Sequence, residues 1–236
     1  MKLRVTIKRS FYFSAIALFC MVLSCTQDSY EKGEGRYSQM RGDFAEMHIN
    51  SDKKANAITT DDGDQLPLKD LFSSQWIATA DTTYRCILYY NKVKGGDGKM
   101  LAEIISAGQV PCVQVKPLKK FEGKVCTDPV KFESIWMSKS GKYLNLSLQL
   151  MIGQTDDTTA IHQLGLLSDT LIVNPNGKRT LHVFLNHDQG KVPEYYSTQV
   201  YMSVQASTLD ADSVSFKINT YSGIVEKTLF IYRIEE

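Results

Sequence analysis

Leu144-Asn145-Leu146-Ser147-Leu148-Gln149-Leu150 is the stretch that decides the fold. Leucine alternates with a polar residue throughout, which is the two-residue period of a β-strand. One greasy and one polar face predict an antiparallel strand with one side on a core. Ser140-Gly141 turns into it from Val130–Met137, where Val130, Phe132, Ser134 and Trp136 fall on one face. Trp136 is therefore expected to anchor that core rather than serve as a ligand platform. Downstream, Ile161–Leu167 is followed by a break at Ser168-Asp169 and by Leu171-Ile172-Val173. Leu181–Leu185, Val200–Val204, Val214–Ile218 and Thr228–Ile234 continue the series. Strands spaced roughly 10–20 residues apart, with no helical stretch, predict an antiparallel β-sandwich of immunoglobulin-like architecture over residues 127–236.

Upstream the strands are shorter. Phe44–Ile49, Ala57–Thr60 and Gln65–Leu68 are candidates, with Asp61-Asp62-Gly63-Asp64 as a turn. From Thr82 to Val93, Tyr84, Cys86, Leu88 and Tyr90 alternate with Arg85, Ile87 and Tyr89, so both faces are half apolar and the strand is central. Gly95-Gly96-Asp97-Gly98 turns into Lys99–Ile105, and Val110–Val115 is expected to close the set. Short strands joined by tight turns predict an OB-like barrel over residues 42–126, with one short helical turn within Leu68–Trp76. A boundary is expected at Cys126-Thr127-Asp128-Pro129, because Asp-Pro favours an extended break.

The amino terminus sets the compartment. Lys2, Arg4, Lys8 and Arg9 precede an apolar run, Phe11–Leu23, that ends in Val22-Leu23-Ser24-Cys25. Roughly 13 apolar residues fall short of the ~20 needed to span a bilayer, so residues 1–24 read as a secretory signal. Val-Leu-Ser-Cys resembles a lipobox, which would make Cys25 the site of lipidation; the alternative is an ordinary signal cut near Ser24. Residues 25–41 are polar and aperiodic, the composition of a flexible tether. Removing the signal takes the charge from 27 basic and 26 acidic residues to 23 and 26. That acidic balance argues against nucleic acid as a partner. An odd set of three cysteines remains beyond Cys25, so at least one of Cys86, Cys112 and Cys126 is unpaired.

No catalytic apparatus is recognisable. His187-Asp188 offers a base and an orienter, but no activated nucleophile accompanies it, and the pair is read as a turn after a strand. His182 and His187 should point to opposite faces of a regular strand, which weakens a shared metal site. Asp61, Asp62 and Asp64 lack the spacing of a calcium loop and are expected to be solvated at their turn. Catalytic residues, metal and cofactor are therefore all expected to be none. The candidate ligand-binding residues are aromatic. Tyr84, Tyr89 and Tyr90 could stack a ligand or simply fill a barrel wall, and Tyr195 and Tyr196 follow Pro193 in a loop.

The order of these features resembles the NigD-like family of Bacteroidota lipoproteins. Thr59-Thr60-Asp61-Asp62-Gly63, Tyr84-Arg85-Cys86-Ile87-Leu88-Tyr89-Tyr90, Asp128-Pro129-Val130, Gly141–Leu146 and Leu185-Asn186-His187-Asp188 carry the resemblance. It implies an N-terminal OB-like barrel followed by a C-terminal β-sandwich. It also implies association with a bacteriocin gene cluster, and no activity, cofactor or catalytic residue. The combined expectation is a non-catalytic interaction protein, held to the outer membrane through Cys25 on a face left open, with a protein or glycan partner. A glycan-binding accessory protein is the alternative, and a hydrolase around His187 a third reading.

Overall fold

The structure is a computed structural model that describes Gly35 and residues 37–232. Two compact units divide the chain, Met1–Gln39 and Met40–Glu236. In the first, Ser38 N–H donates to the Gly35 carbonyl in a turn. The predicted signal and Cys25 lie outside the described residues, as do residues 25–34 and 36 of the expected tether, while Arg41 at its end already belongs to a strand.

The second unit is all β, with two single turns of 3-10 helix and no α-helix among the described residues. Its first five strands are β1 (Arg41–Ile49), β2 (Ala55–Thr60), β3 (Gln65–Phe72), β4 (Thr83–Lys94) and β5 (Met100–Gln109). They close into a barrel in the order β1-β2-β3-β5-β4, with β3 and β5 parallel, which is the OB arrangement. Met47, Ile58, Cys86, Leu88 and Tyr90 fill its interior. The helical turn expected within Leu68–Trp76 is absent, because β3 runs on to Phe72 beside β2. Val110–Val115 does not close the barrel either: β1 and β4 already do so. Instead, β6 (Val115–Pro117) adds to the second body.

That second body contains β7 (Lys131–Met137), β8 (Tyr143–Ile152), β9 (Gln163–Val173), β10 (Arg179–Asp188), β11 (Tyr196–Gln205), β12 (Ser213–Thr220) and β13 (Gly223–Phe230). Sheet β13-β12-β10-β9-β6 faces sheet β11-β8-β7 in an immunoglobulin-like sandwich. Leu144, Leu146, Leu148 and Leu150 of β8 meet Leu166, Val183, Leu185, Val214, Phe216 and Ile218 in the core. The larger sheet is mixed rather than antiparallel. The chain leaves β10, crosses to the facing sheet as β11 and returns as β12 parallel to β10, while β6 lies parallel to β9.

Two bulges change how the sequence pattern maps onto faces. Ser168-Asp169 is no break: β9 is continuous, and Asp169 is the extra residue opposite the step from His182 to Val183. In β7, Phe132 pairs with Leu148 but Ser134 with Ser147, so Glu133 is extra. One added residue exchanges the faces of everything after it. Ile135 and Met137 therefore turn to the core, and Trp136 turns outward.

Cys86, Cys112 and Cys126 are all free thiols, with Cys86 and Cys126 buried and Cys112 exposed. Burial pushes the Cys86 thiol up to about 12. Thiol mapping of the native protein by mass spectrometry should show Cys112 alkylated first, faster as pH rises, and Cys86 only after unfolding. Leu148→Ala, which empties a fully buried site between the sheets, should lower unfolding free energy by about 2–5 kcal/mol in a denaturant titration.

Candidate functional site at the junction of barrel and sandwich

The polar face of β8 is not solvated. Asn145 and Ser147 are buried, as is Ser203 of β11, because the barrel lies over this side of the three-stranded sheet. A buried polar stripe must find its hydrogen bonds inside the protein, and the barrel supplies them.

Arg85, on the outward face of β4, is central. Its side chain is 2% exposed, and its Nη1 and Nη2 each donate to one oxygen of Asp61 at 2.6 Å. Nη2 also donates to Asn145 Oδ1 at 3.0 Å, and Nε donates to Ser203 Oγ at 3.3 Å. Ser203 Oγ donates to Asn145 Oδ1 and Asn145 Nδ2 to Asp61 Oδ2, closing the network. The guanidinium carbon lies 4.1 Å from the Tyr143 ring centroid and 5.4 Å from that of Phe44. Phe44 in turn meets Trp136 and Tyr201 edge-on. Trp136 is thus an anchor of the junction, not of the sandwich core.

Asp61 reaches Arg85 because of its turn. Gly63 at φ +91° lets the chain reverse between β2 and β3, and Thr60 Oγ1 accepts from the Asp64 N–H. The Asp61 N–H donates to the Phe44 carbonyl, and its own carbonyl accepts from Ser140 N–H in the β7–β8 hairpin. The expectation that these aspartates are merely solvated therefore fails for Asp61, whose side chain is 15% exposed.

An open cleft of about 540 Å³ lies at the mouth of this junction. Its barrel wall carries Glu46 and Asp62, and its sandwich wall carries Lys139, Ser140, Lys142 and Gln205. Lys139 stands 3.0 Å from Asp62 and Lys142 3.5 Å from Glu46, so acidic and basic walls face each other. An adjoining cavity of about 220 Å³ reaches Thr60, Asp61 and Tyr143. Tyr143 Oη donates to Glu46 at 2.8 Å, and burial together with that carboxylate holds its pKa well above 10.

The tyrosines singled out from sequence do not share one surface. Tyr90 is buried in the barrel and donates to Asp43 Oδ2 at 2.9 Å. Tyr84 packs edge-on against Trp76, and its hydroxyl accepts from the Ala78 and Thr79 N–H groups. Tyr89 is exposed on the other face of β4, beside Gly42. Tyr195 and Tyr196 are 76% and 53% exposed at the start of β11, far along that strand from Ser203. His187 is not in a turn: it lies in β10, buried, beside His162. Among the described residues, no three His, Cys, Asp or Glu side chains form a metal-ligand group. The junction residues were hidden from sequence reasoning because Arg85, Asn145 and Ser203 occupy the polar phase of their strands, where solvent is the default expectation.

An OB-type barrel set on the outer face of an immunoglobulin-like sandwich defines a two-body all-β class of protein. The profile of the NigD-like C-terminal beta sandwich domain matches residues 111–232, just over half of the chain. This protein belongs to the NigD-like family. Its fold is similar to that of a NigD-like immunity protein from Bacteroides caccae ATCC 43185, at 23% identity and TM-score 0.63, covering 79% of this chain and 91% of that one. A candidate toxin-related protein from Parabacteroides distasonis ATCC 8503 matches at 15% identity and TM-score 0.59, covering 82% and 93%. A candidate lipoprotein from Bacteroides fragilis NCTC 9343 matches at 12% identity and TM-score 0.60, covering 84% of this chain and 100% of that one. No curated protein matches the chain.

Arg85→Met should strand the Asp61 carboxylate and the Asn145 amide, lowering stability by about 3–5 kcal/mol. Adding Asp61→Leu should restore part of that loss, read as a coupling energy in a double-mutant cycle. Raised phenol pKa values at Tyr90 and Tyr143 mean that the fold binds protons the unfolded chain gives up. Their contribution to stability is whole below about pH 10 and lost as pH climbs beyond it, which alkaline unfolding followed by tyrosinate absorbance will show.

Proposed function

We propose that this protein is a non-catalytic interaction module of the cell envelope, lipid-anchored through Cys25 and immunity-like in its association with a bacteriocin. In this reading residues 1–24 are removed, residues 25–40 act as a tether, and the anchor lies in the outer membrane. The observation that carries the reading is the junction cleft. Two bodies are locked together by a buried ion pair, and the cleft they form presents opposed acidic and basic walls. Rigid, charge-patterned surfaces favour selective protein docking, since a partner of the wrong charge pattern is rejected there. A relative named as an immunity protein and another named as a candidate lipoprotein support the same reading.

Exposed Tyr195 and Tyr196 favour a second reading, a glycan-binding accessory protein, because aromatic faces are suited to stacking on sugar rings.

Deleting the gene should sensitise the cell to the cognate toxin, and Cys25→Ala should abolish fatty-acid labelling of the protein. Neutralising the exposed Lys139 and Lys142 to Gln should remove protection while lowering unfolding free energy by no more than about 1 kcal/mol per lost ion pair. Unaltered resistance in the deletion strain would eliminate the immunity reading. A glycan array that binds the parent but not Tyr196→Ala would select the second reading instead.

A further inference from the structure

His187 is 1% exposed near the end of β10, and its partner His162 closes the β8–β9 loop, residues 153–162. His162 Nδ1 lies 3.0 Å from His187 Nε2. The rings are within 20° of parallel, with centroids 5.2 Å apart. That separation exceeds the ~3.5–4.0 Å of face contact and fits an edge-to-edge approach through the two nitrogens. Each outer nitrogen meets a backbone carbonyl: His187 Nδ1 that of Asp128 at 2.9 Å, and His162 Nε2 that of Met151 at 3.0 Å.

Counting hydrogens exposes a shortage. A carbonyl oxygen only accepts, so both outer contacts need an N–H, and the nitrogen-to-nitrogen contact needs one more. Two neutral imidazoles carry two hydrogens between them. Of the four neutral tautomer pairs, three leave one pair of lone pairs facing at about 3 Å and the fourth sets two N–H groups face to face, so each loses a hydrogen bond in a largely buried place. One proton from water supplies the third hydrogen and gives the pair a single positive charge.

We propose that His162 and His187 form a proton-operated latch, in which one proton held between His162 Nδ1 and His187 Nε2 ties the β8–β9 loop to the end of β10. Loss of that proton to solvent releases the loop. The charges facing the pair suit a single cation. Burial first, and then the neighbouring His187, pull His162 below its usual value, so the shared proton is lost on the acid side of a free imidazole. The Met151 carbonyl, Asp128 from the segment before β7 and Glu194 from the β10–β11 loop offset that fall in part. Asp188, at the end of β10, is held low by the Gly190 N–H and the Cys126 thiol, and it faces Lys124. Tyr221, from the β12–β13 turn, donates to Glu194 and stays neutral, its pKa raised to about 12 by burial. Lys191 lies 3.9 Å from Asp157 across the two loops.

The latch bears on the aromatic rim. Gly153, at the start of the latched loop, lies under the Tyr195 ring, where a Cβ would come within 2.6 Å. Gly190 adopts φ +60° against the Ile161 carbonyl, where a Cβ would come within 2.8 Å. Opening the loop therefore loosens the support of Tyr195, whatever the protein's partner.

The test is long-range imidazole ¹H–¹⁵N NMR on the full chain between about pH 5 and 9, with amide exchange across the loop corrected for intrinsic rates. Nitrogens of both rings should shift together in one step worth one proton. Loop protection should fall about tenfold or more as pH rises through that step, and should fall again at the acid extreme, where a second proton sets two donors face to face. His162→Gln, which can still bridge but does not titrate, should abolish the pH step. Independent titration of the two rings, rings neutral throughout, or protection that stays flat across the step in the parent protein would each overturn the proposal, even should the variant fail to fold.

Discussion

A guanidinium taken out of water must have each of its nitrogens engaged nearby, because desolvating it otherwise costs several kcal/mol. At Arg85 that requirement is met by residues from three places in the chain: the β2–β3 turn, β8 and β11. No one of these segments could satisfy it alone. The barrel turn must lie beside the outer face of the three-stranded sheet, in one register and one orientation. Hydrophobic contact among Phe44, Trp136 and Tyr201 is less directional and would tolerate sliding. The ion pair therefore contributes specificity of docking more than net stability, and the shape of the cleft follows from it.

That constraint also accounts for the glycines and carboxylates at the junction. Gly63 and Gly141, both at positive φ, tighten the two hairpins whose backbones meet through Ser140 and Asp61. Glu46, beside them, engages both the Tyr143 hydroxyl and the Lys142 ammonium. The cleft walls are thus side chains that already take part in holding the bodies together. A partner entering the cleft would exchange these ion pairs for its own, so binding there and the rigidity of the junction draw on the same groups.

Much of the architecture was legible in the chain itself. The period of Leu144–Leu150 fixed a strand and its inward face, whereas Thr82–Val93 shows two half-apolar faces, and only the closed barrel puts Cys86, Leu88 and Tyr90 inside. Two misreadings share a cause. Trp136 and the Ser168-Asp169 step each lie at or just past a bulge, which a periodicity count cannot register. The closing strand expected at Val110–Val115 gives way to the three-residue β6, a strand too short to carry a pattern that says which sheet it joins.

What the sequence determined by itself was local: which segments extend, where they turn, and which phase of each strand is greasy, all consequences of backbone geometry and apolar periodicity. Only the tertiary structure decided what becomes of the other phase. Asn145, Ser203, Asp61 and Arg85 are polar residues at polar positions, and nothing within their own segments marks them as buried. His162 and His187 likewise meet across 25 residues of chain. Burial of a polar side chain depends on which surface arrives to cover it, and that is a property of two segments together, not of either one.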